Sequence, residues 1–194
     1  MATELHFRGE GGLYRVVDEA DGLPVRLPAP VELAPQLISS TASVAVAAAG
    51  DDAANDVVSN SATEATAVTW KFPGMAPGDN RPGAIYSASI TCSEDDVSGS
   101  RFRLFLFNED AHPATVLADN AALAIGAEDR ASFQCYIDFP AMIDVGSYSL
   151  SQSVGVQYGY KTSDKLYGIL QILDAEADET AGMTITITLH ALPI

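Results

Sequence analysis

Apolar and polar residues alternate at every second position along most of the chain from residue 36 onward. The strictest alternation is MTITITLH at 183–190, where four apolar residues take turns with three threonines and a histidine. Successive side chains of a β-strand point to opposite faces of its sheet, so this period indicates strands with one buried face. The pattern predicts eight strands, at residues 36–48, 66–73, 84–93, 100–108, 131–139, 150–158, 165–174 and 182–191.

Two of these segments add detail to the prediction. In FRLFLF at 102–107 the apolar residues stand on both parities, which predicts a strand that is covered on both faces. Gly168, inside the segment at 165–174, predicts a bulge or a close backbone approach. The core between two sheets is expected to contain Val44, Val46, Val68, Trp70, Phe72, Ile90, Phe102, Leu104, Leu106, Phe133, Ile137, Phe139, Leu170, Ile185, Ile187 and Leu189.

Helical signals are few and short. Asp119 is placed to cap a turn at 120–123, and residues 127–130 are expected to form a second turn. Neither turn is long enough to connect parallel strands, a connection that needs a dozen or more residues. The sequence therefore predicts an all-β chain whose antiparallel strands form a two-sheet β-sandwich of the jelly-roll type.

The first 35 residues differ from the rest because they show no sustained period. They contain four glycines and four prolines, and proline favours an extended chain that stays out of a sheet interior. We expect residues 1–35 to form an extended Pro/Gly-rich N-terminal arm and residues 36–194 to form the jelly roll. The arm is expected to contact a partner through three arginines and three apolar residues, namely Arg8, Arg15, Leu23, Val25, Arg26 and Leu27.

Composition narrows the function classes. The chain has 194 residues, 47% hydrophobic and 19% charged, so it can build one packed core with an appendage. Lys and Arg total 10 against 26 Asp and Glu, a net charge of −16, and no cluster of cations is present to contact a phosphate backbone. No apolar window approaches the length of a membrane span and no secretory signal is visible. We therefore expect no nucleic-acid or membrane partner, and synthesis in the cytoplasm.

Patterns typical of catalysis or of metal binding are missing from the sequence. His6, His112 and His190 are scattered, and no serine stands in a Gly-x-Ser-x-Gly turn. We therefore assign no catalytic, cofactor or metal residue and expect neither enzymatic activity nor a cofactor. Cys92 and Cys135 stand inside predicted strands and are expected to be buried, reduced thiols.

Three acidic clusters lie between predicted strands, at residues 51–56, 94–96 and 174–179. Loop carboxylates can bind calcium, but none of the clusters matches the twelve-residue calcium loop with its glycine and terminal glutamate. The interpretation that we favour is a set of solvated loops whose charge stops the sheet edges from pairing with other chains.

Several segments, taken in order, resemble a family of jelly-roll virion structural proteins of tailed bacteriophages. They are AANDVVSN at 53–60, AIYSASITCSED at 84–95, RLFLFN at 103–108, TVLADNAALAI at 115–125, YIDFP at 136–140, KLYGILQIL at 165–173 and TITITL at 184–189. The resemblance implies a head decoration, or cement, protein without enzymatic activity. Such a protein would sit on the outer surface of the capsid, bind the major capsid protein lattice beside neighbouring copies of itself, for example as a homotrimer, and stabilise the head.

Two other functions are compatible with a jelly roll. A carbohydrate- or receptor-binding module of a phage tail or head fibre needs exposed aromatic side chains. The candidates for such a platform are Tyr148, Tyr158, Tyr160 and Tyr167. A small enzyme of the cupin type needs a cluster of His and Glu metal ligands, which the sequence does not show.

Overall fold

The structure of the chain is a computed structural model. It describes residues 37–47, 52–76, 82–94, 97–111, 113–175 and 182–194, together with the backbone of residues 8–9 and 12–13. The chain divides into two compact units, Met1–Pro35 and Gln36–Ile194. In the first unit, strands β1 (Arg8–Gly9) and β2 (Gly12–Leu13) form a short antiparallel ladder, which the sequence did not predict. The extended course of the arm stays a prediction, because most of it lies outside the described residues.

Ten strands occur in the described part of the second unit. They are β3 (Ile38–Ala45), β4 (Val57–Val58), β5 (Trp70–Phe72), β6 (Gly83–Cys92), β7 (Phe102–Phe107), β8 (Phe133–Phe139), β9 (Ile143–Asp144), β10 (Ser149–Tyr160), β11 (Leu166–Ile172) and β12 (Thr184–Pro193). All eight predicted strands are present. The two that were not predicted, β4 and β9, have two residues each, which is too short for an alternation to be recognised.

The strands form two antiparallel sheets. The order in the first sheet is β3-β12-β6-β10-β9, and in the second it is β4-β11-β7-β8, with β5 also pairing with β11. If β4 and β5 count as one position and β9 as an extension of the edge, eight positions remain. The first pairs with the eighth, the second with the seventh, the third with the sixth and the fourth with the fifth. This nested pairing is the winding of a jelly roll, so the predicted fold is confirmed.

The core lies between the inner faces of the two sheets. Of the sixteen residues predicted for it, thirteen belong to its main buried cluster, and Val44 packs against that cluster partly buried. The prediction is wrong for Val68, which is 47% exposed. Strand β5 begins only at Trp70, and the N–H of Val68 donates to Asn60 Oδ1 at 2.9 Å instead of joining a ladder.

The prediction is also wrong for Phe133, which is 39% exposed. Leu106 pairs with Cys135, but the next residue, Phe107, pairs with Phe133, so β8 contains one extra residue at this point. Such a β-bulge reverses the direction of the side chains beyond it. Phe133 therefore lies on the outer face of the second sheet, where its ring packs edge-on against Phe107 with the centroids 5.7 Å apart.

The outer face of the second sheet is partly covered by residues 108–111 and 113–127. Val57, Phe107 and Ile169 form a second buried cluster, and apolar residues of this connecting segment pack against it. The Glu64 carboxylate fixes the segment by accepting two backbone N–H groups, from residues 117 and 118, at 2.9 to 3.0 Å. The prediction that β7 is covered on both faces is thus confirmed, because Leu104 and Leu106 face the main core.

The helical predictions are partly right. A 3-10 helix at Glu128–Arg130 falls within the predicted turn at 127–130. Asp119, in contrast, caps no helical turn. Its Oδ1 accepts the N–H of Ser59 at 2.6 Å, and Asn120 after it has a φ of 56°. Asp119 therefore ties the covering segment to the residue that follows β4.

Candidate interaction surfaces

The outer face of the first sheet carries no charged side chain on its four long strands. None of β3, β6, β10 and β12 contains Asp, Glu, Lys or Arg, although 19% of the chain is charged. Burial alternates along β12, with aliphatic side chains in the core and threonines on the outer face. We use the name hydroxyl face for the outer positions Ser39, Thr41, Ser43, Ser89, Thr91, Thr184, Thr186 and Thr188.

The hydroxyl groups of this face bond one another across strands. Thr41 Oγ1 lies 2.9 Å from Thr188 Oγ1, and Ser43 Oγ lies 2.8 Å from Thr186 Oγ1. Both pairs are directly opposed in the register of β3 and β12, and cross-strand Ser and Thr pairs of this kind stabilise a sheet. Each of these four hydroxyls therefore has a partner within its own sheet.

The hairpin of β9 and β10 presents a second surface, which is apolar. Ile143, Val145 and Tyr148 are 62%, 45% and 42% exposed, and we call them the apolar tip. The N–H of Val145 donates to the carbonyl of Tyr148 at 3.0 Å, and the Asp144 carboxylate accepts the N–H of Gly146 at 2.6 Å. Gly146 has a φ of 105°, a region that favours glycine. The turn therefore holds the apolar tip at the edge of the first sheet.

A third surface, the aromatic cluster, lies on the outer side of β8. Tyr136 is 42% exposed, and its ring centroid lies 6.2 Å from that of Phe105 and 6.3 Å from that of Tyr158. The Arg103 guanidinium lies over the Tyr136 ring, 4.6 Å from its centroid. Two N–H groups of Arg103 donate to the Asp138 carboxylate at 2.5 and 3.0 Å, which raises the pKa of the arginine. Tyr136 is not among the four tyrosines that the sequence analysis selected for an exposed platform.

The four tyrosines predicted as a sugar-binding platform have different surroundings. The prediction is wrong for Tyr160, which is buried and donates its hydroxyl to a backbone carbonyl at 2.8 Å. Tyr158 is half-buried against the main core, Tyr167 lies 5.9 Å from the Lys71 ammonium, and Tyr148 belongs to the apolar tip. Of the exposed tyrosines that the structure describes, Tyr136 is the one whose ring lies beside two other aromatic rings.

Two described members of the acidic clusters, Asp56 and Asp174, make hydrogen bonds within the fold. Asp56 is buried, and its Oδ2 accepts the N–H of Ala53 at 3.0 Å. Asp174 accepts two N–H groups of the Arg101 guanidinium at 2.7 and 2.9 Å, which lowers the pKa of the carboxyl group. Among the described residues, no three His, Cys, Asp or Glu are grouped so that they could hold a metal ion. The cluster members outside the described ranges are Asp51, Asp95, Asp96, Glu176, Asp178 and Glu179.

Both cysteines are buried and not disulfide-bonded, as predicted, with Cys92 in the first sheet and Cys135 in the second. Burial raises the pKa of Cys135 to about 12. His190 stacks on the ring of Tyr86 with the centroids 6.1 Å apart, whereas His6 and His112 fall outside the described residues. No helix that is long and apolar enough to cross a membrane occurs in the described ranges.

The six predicted partner-contact residues belong to the first unit. Of these six residues, Arg8 in β1 is the one that the structure describes, by its backbone. The other five lie outside the described residues, so the contact role of all six stays a prediction. These five are Arg15, Leu23, Val25, Arg26 and Leu27.

Comparison with known proteins found one loose structural similarity. No protein-family model matches the chain, and no curated protein matches it. The chain is similar to a solved structure of Desmodium yellow mottle tymovirus, with 17% identity, 89% of this chain and 95% of that chain covered, and a TM-score of 0.27. An alignment this loose carries no argument. The fold assignment therefore rests on the strand order.

Proposed function

We propose that this chain is a non-enzymatic virion structural protein, and more narrowly a decoration protein on the outside of a tailed-bacteriophage capsid. The observation that carries the proposal concerns the first sheet of the jelly roll. Its four long strands contain no charged residue, although the chain has a net charge of −16. An uncharged sheet face allows close packing against another protein without like-charge contacts. The resemblance of AIYSASITCSED at 84–95 and the other quoted segments to phage virion proteins supports the same function.

In this proposal the protein clamps the shell through many equal contacts. The jelly roll is a rigid block over junctions between major capsid protein subunits, and the N-terminal arm adds contacts with its arginines and apolar residues. A ligand that binds only the assembled state stabilises that state by mass action. Many copies on one lattice therefore turn a modest contact into a large stabilisation of the head.

Deleting residues 1–35 tests the arm. The truncated chain should keep its fold, because both sheets of the sandwich lie after residue 36. Its affinity for emptied capsids should fall by a factor of about ten or more, because the arm contacts are lost. Its residual binding should depend less on salt, because the three arginines that contact acidic groups are gone. Co-sedimentation with capsids across a salt series measures both effects.

A full-length chain with Arg8, Arg15 and Arg26 changed to Gln is the matched control. It should show the reduced salt dependence but keep the part of the affinity that comes from apolar arm contacts. Capsid occupancy that is unchanged in the truncated chain would assign attachment to the jelly roll alone. Absence of capsid binding by the full-length chain would contradict the decoration function itself.

The aromatic cluster favours a second candidate, carbohydrate or receptor binding. Exposed aromatic rings beside polar side chains are typical of sugar sites, and Tyr136 has Arg103, Asp138 and Tyr158 around it. Binding to a glycan array that is lost on Tyr136→Ala, in a chain that does not co-sediment with capsids, would replace the first proposal by this one.

A further inference from the structure

Two copies of an acidic protein repel each other over most of their surfaces. With a net charge of −16, contacts between copies generally bring like charges together. The outer face of the first sheet differs, because its four long strands contain no charged residue. A basic partner would bind most favourably at the acidic loops, away from this face. An acidic partner is repelled by those loops, so the uncharged face is the place where it can make close contact. A second copy of this chain has that property.

We propose that two copies of this chain pack against each other through the hydroxyl face. The proposed virion function rests on the same uncharged sheet, and on a shell this sheet would face a neighbouring copy. The contact in solution follows from the charge distribution of the chain, so it is tested without capsids. Both copies present the same face, so the contact is isologous, the arrangement of most homodimers.

The hydrogen bonding of the face lowers the cost of removing it from water. A buried hydroxyl without a partner is unfavourable, but Thr41 and Thr188 already bond each other, as do Ser43 and Thr186. These four groups keep their partners when water is excluded. Val154, on the outer side of β10 and 66% exposed, adds an apolar group at the margin.

The side chains of the face also lose little freedom on docking. Ser and Thr are short, whereas Lys, Arg and Glu lose much more rotamer entropy when they are immobilised. Threonine methyl groups supply apolar contact area at the same time. Short side chains on a pleated surface let two sheets approach closely, as in the packing of sheets inside a sandwich.

The dimensions of the face set the expected affinity. The hydroxyl face lies on β3, β6 and β12, and the uncharged outer side of β10 continues it to a fourth strand. Four strands spaced about 4.8 Å apart, each with about eight residues at about 3.3 Å, present roughly 19 Å by 26 Å, or roughly 500 Å² per copy. About 1,000 Å² in total is at the lower end of specific interfaces. The dissociation constant should accordingly be on the order of 10 μM, so the dimer forms at high local concentration and dissociates on dilution.

Sedimentation velocity over a concentration series of the full chain tests the proposal. The wild type should dimerise, and raising the salt concentration should strengthen the dimer, because salt screens the repulsion between the rest of the two copies. Thr41→Glu and Ser43→Glu, both at exposed positions of β3, should each weaken it by about tenfold or more. An equimolar mixture of Ser43→Glu and Ser43→Lys chains should associate again. Circular dichroism and thermal unfolding verify that each variant is folded.

Ser147→Glu, in the turn of the apolar tip, is the matched control and should dimerise like the wild type. A wild type that stays monomeric up to about 500 μM, about fifty times the expected constant, would overturn the proposal. Dissociation constants unchanged by Ser43→Glu would also overturn it. If Ser147→Glu abolishes the dimer, the contact lies at the apolar tip. If deletion of residues 1–35 abolishes the dimer and Ser43→Glu has no effect, the contact lies in the arm.

Discussion

Gly168→Val should lower the free energy of unfolding by about 3 kcal/mol, because the site has no room for a side chain. Gly168 lies inside β11 and pairs with Trp70 on one side and Leu106 on the other. A Cβ atom at this position would lie 2.8 Å from Leu104 Cδ1, 3.1 Å from Phe72 Cε2 and 3.1 Å from Trp70 Cβ. These neighbours are fully buried in a close-packed core, so none of them can move without displacing others.

Gly159→Val is the matched control, because it makes the same change in a strand of the other sheet. A Cβ atom at Gly159 would meet nothing within 4 Å. Since valine also favours strands, this variant should stay within about 0.5 kcal/mol of the wild type. Urea unfolding of both variants measures the difference. Equal stability of Gly168→Val and the wild type would contradict the close approach of Leu104, Phe72 and Trp70 to Gly168.

The sequence predicted the strands because their period is a local property of the chain. Gly168 is one example: a glycine inside an apolar run predicted a close approach, and three core side chains lie 2.8 to 3.1 Å from the position that its Cβ would take. Phe133 shows the limit. Its parity placed it in the core, but the bulge in β8 depends on how β8 pairs with β7, and a single sequence does not show that register.

Tyr160 was misassigned because the predicted strand at 150–158 ended before it, whereas β10 continues to Tyr160. The pairing of β10 with β6 shifts between Val154 and Tyr158, so the period of two does not extend through the whole strand. Beyond the shift, Tyr160 points inward and its ring lies beside Gly83, where a Cβ atom would be 2.5 Å from the ring. Gly83 in β6 thus makes room for a tyrosine that is 77 residues later in the chain, a relation that periodicity does not reveal.

The residues of the hydroxyl face are visible in the sequence, but the sequence does not show that they lie side by side on one surface. The alternating threonines of β12 were the strongest strand signal, yet their cross-strand partners are remote: Thr41 bonds Thr188 across 147 positions. Only the jelly-roll order places β3, β12 and β6 side by side. The absence of charge, which is unremarkable in any one strand, becomes a property of a whole surface once these strands are neighbours.

Raising the pH above about 9 should destabilise the protein through two buried acidic groups. Burial raises the pKa of the Cys135 thiol from an ordinary value of 9.0 to about 12. Burial, and secondarily the charge of Cys135, raises the pKa of Tyr160 from 10.0 to about 12. The unfolded chain loses these protons at the ordinary values, whereas the folded chain retains them. The contribution of each group is therefore constant below its ordinary pKa and falls by about 1.4 kcal/mol per pH unit from there to about pH 12.

Single variants separate the two contributions in urea unfolding at about pH 7, 9, 10 and 11. Cys135→Ala should remove the loss that begins near pH 9 and keep the one that begins near pH 10. Tyr160→Phe should do the reverse, although it also loses the hydrogen bond to the Met75 carbonyl and so about 1 kcal/mol at every pH. Tyr148→Phe changes an exposed ring and should follow the wild type throughout. If Cys135→Ala loses stability between pH 9 and 10 as steeply as the wild type, the folded chain does not hold that thiol protonated, and the burial of Cys135 does not govern the alkaline limit of the fold.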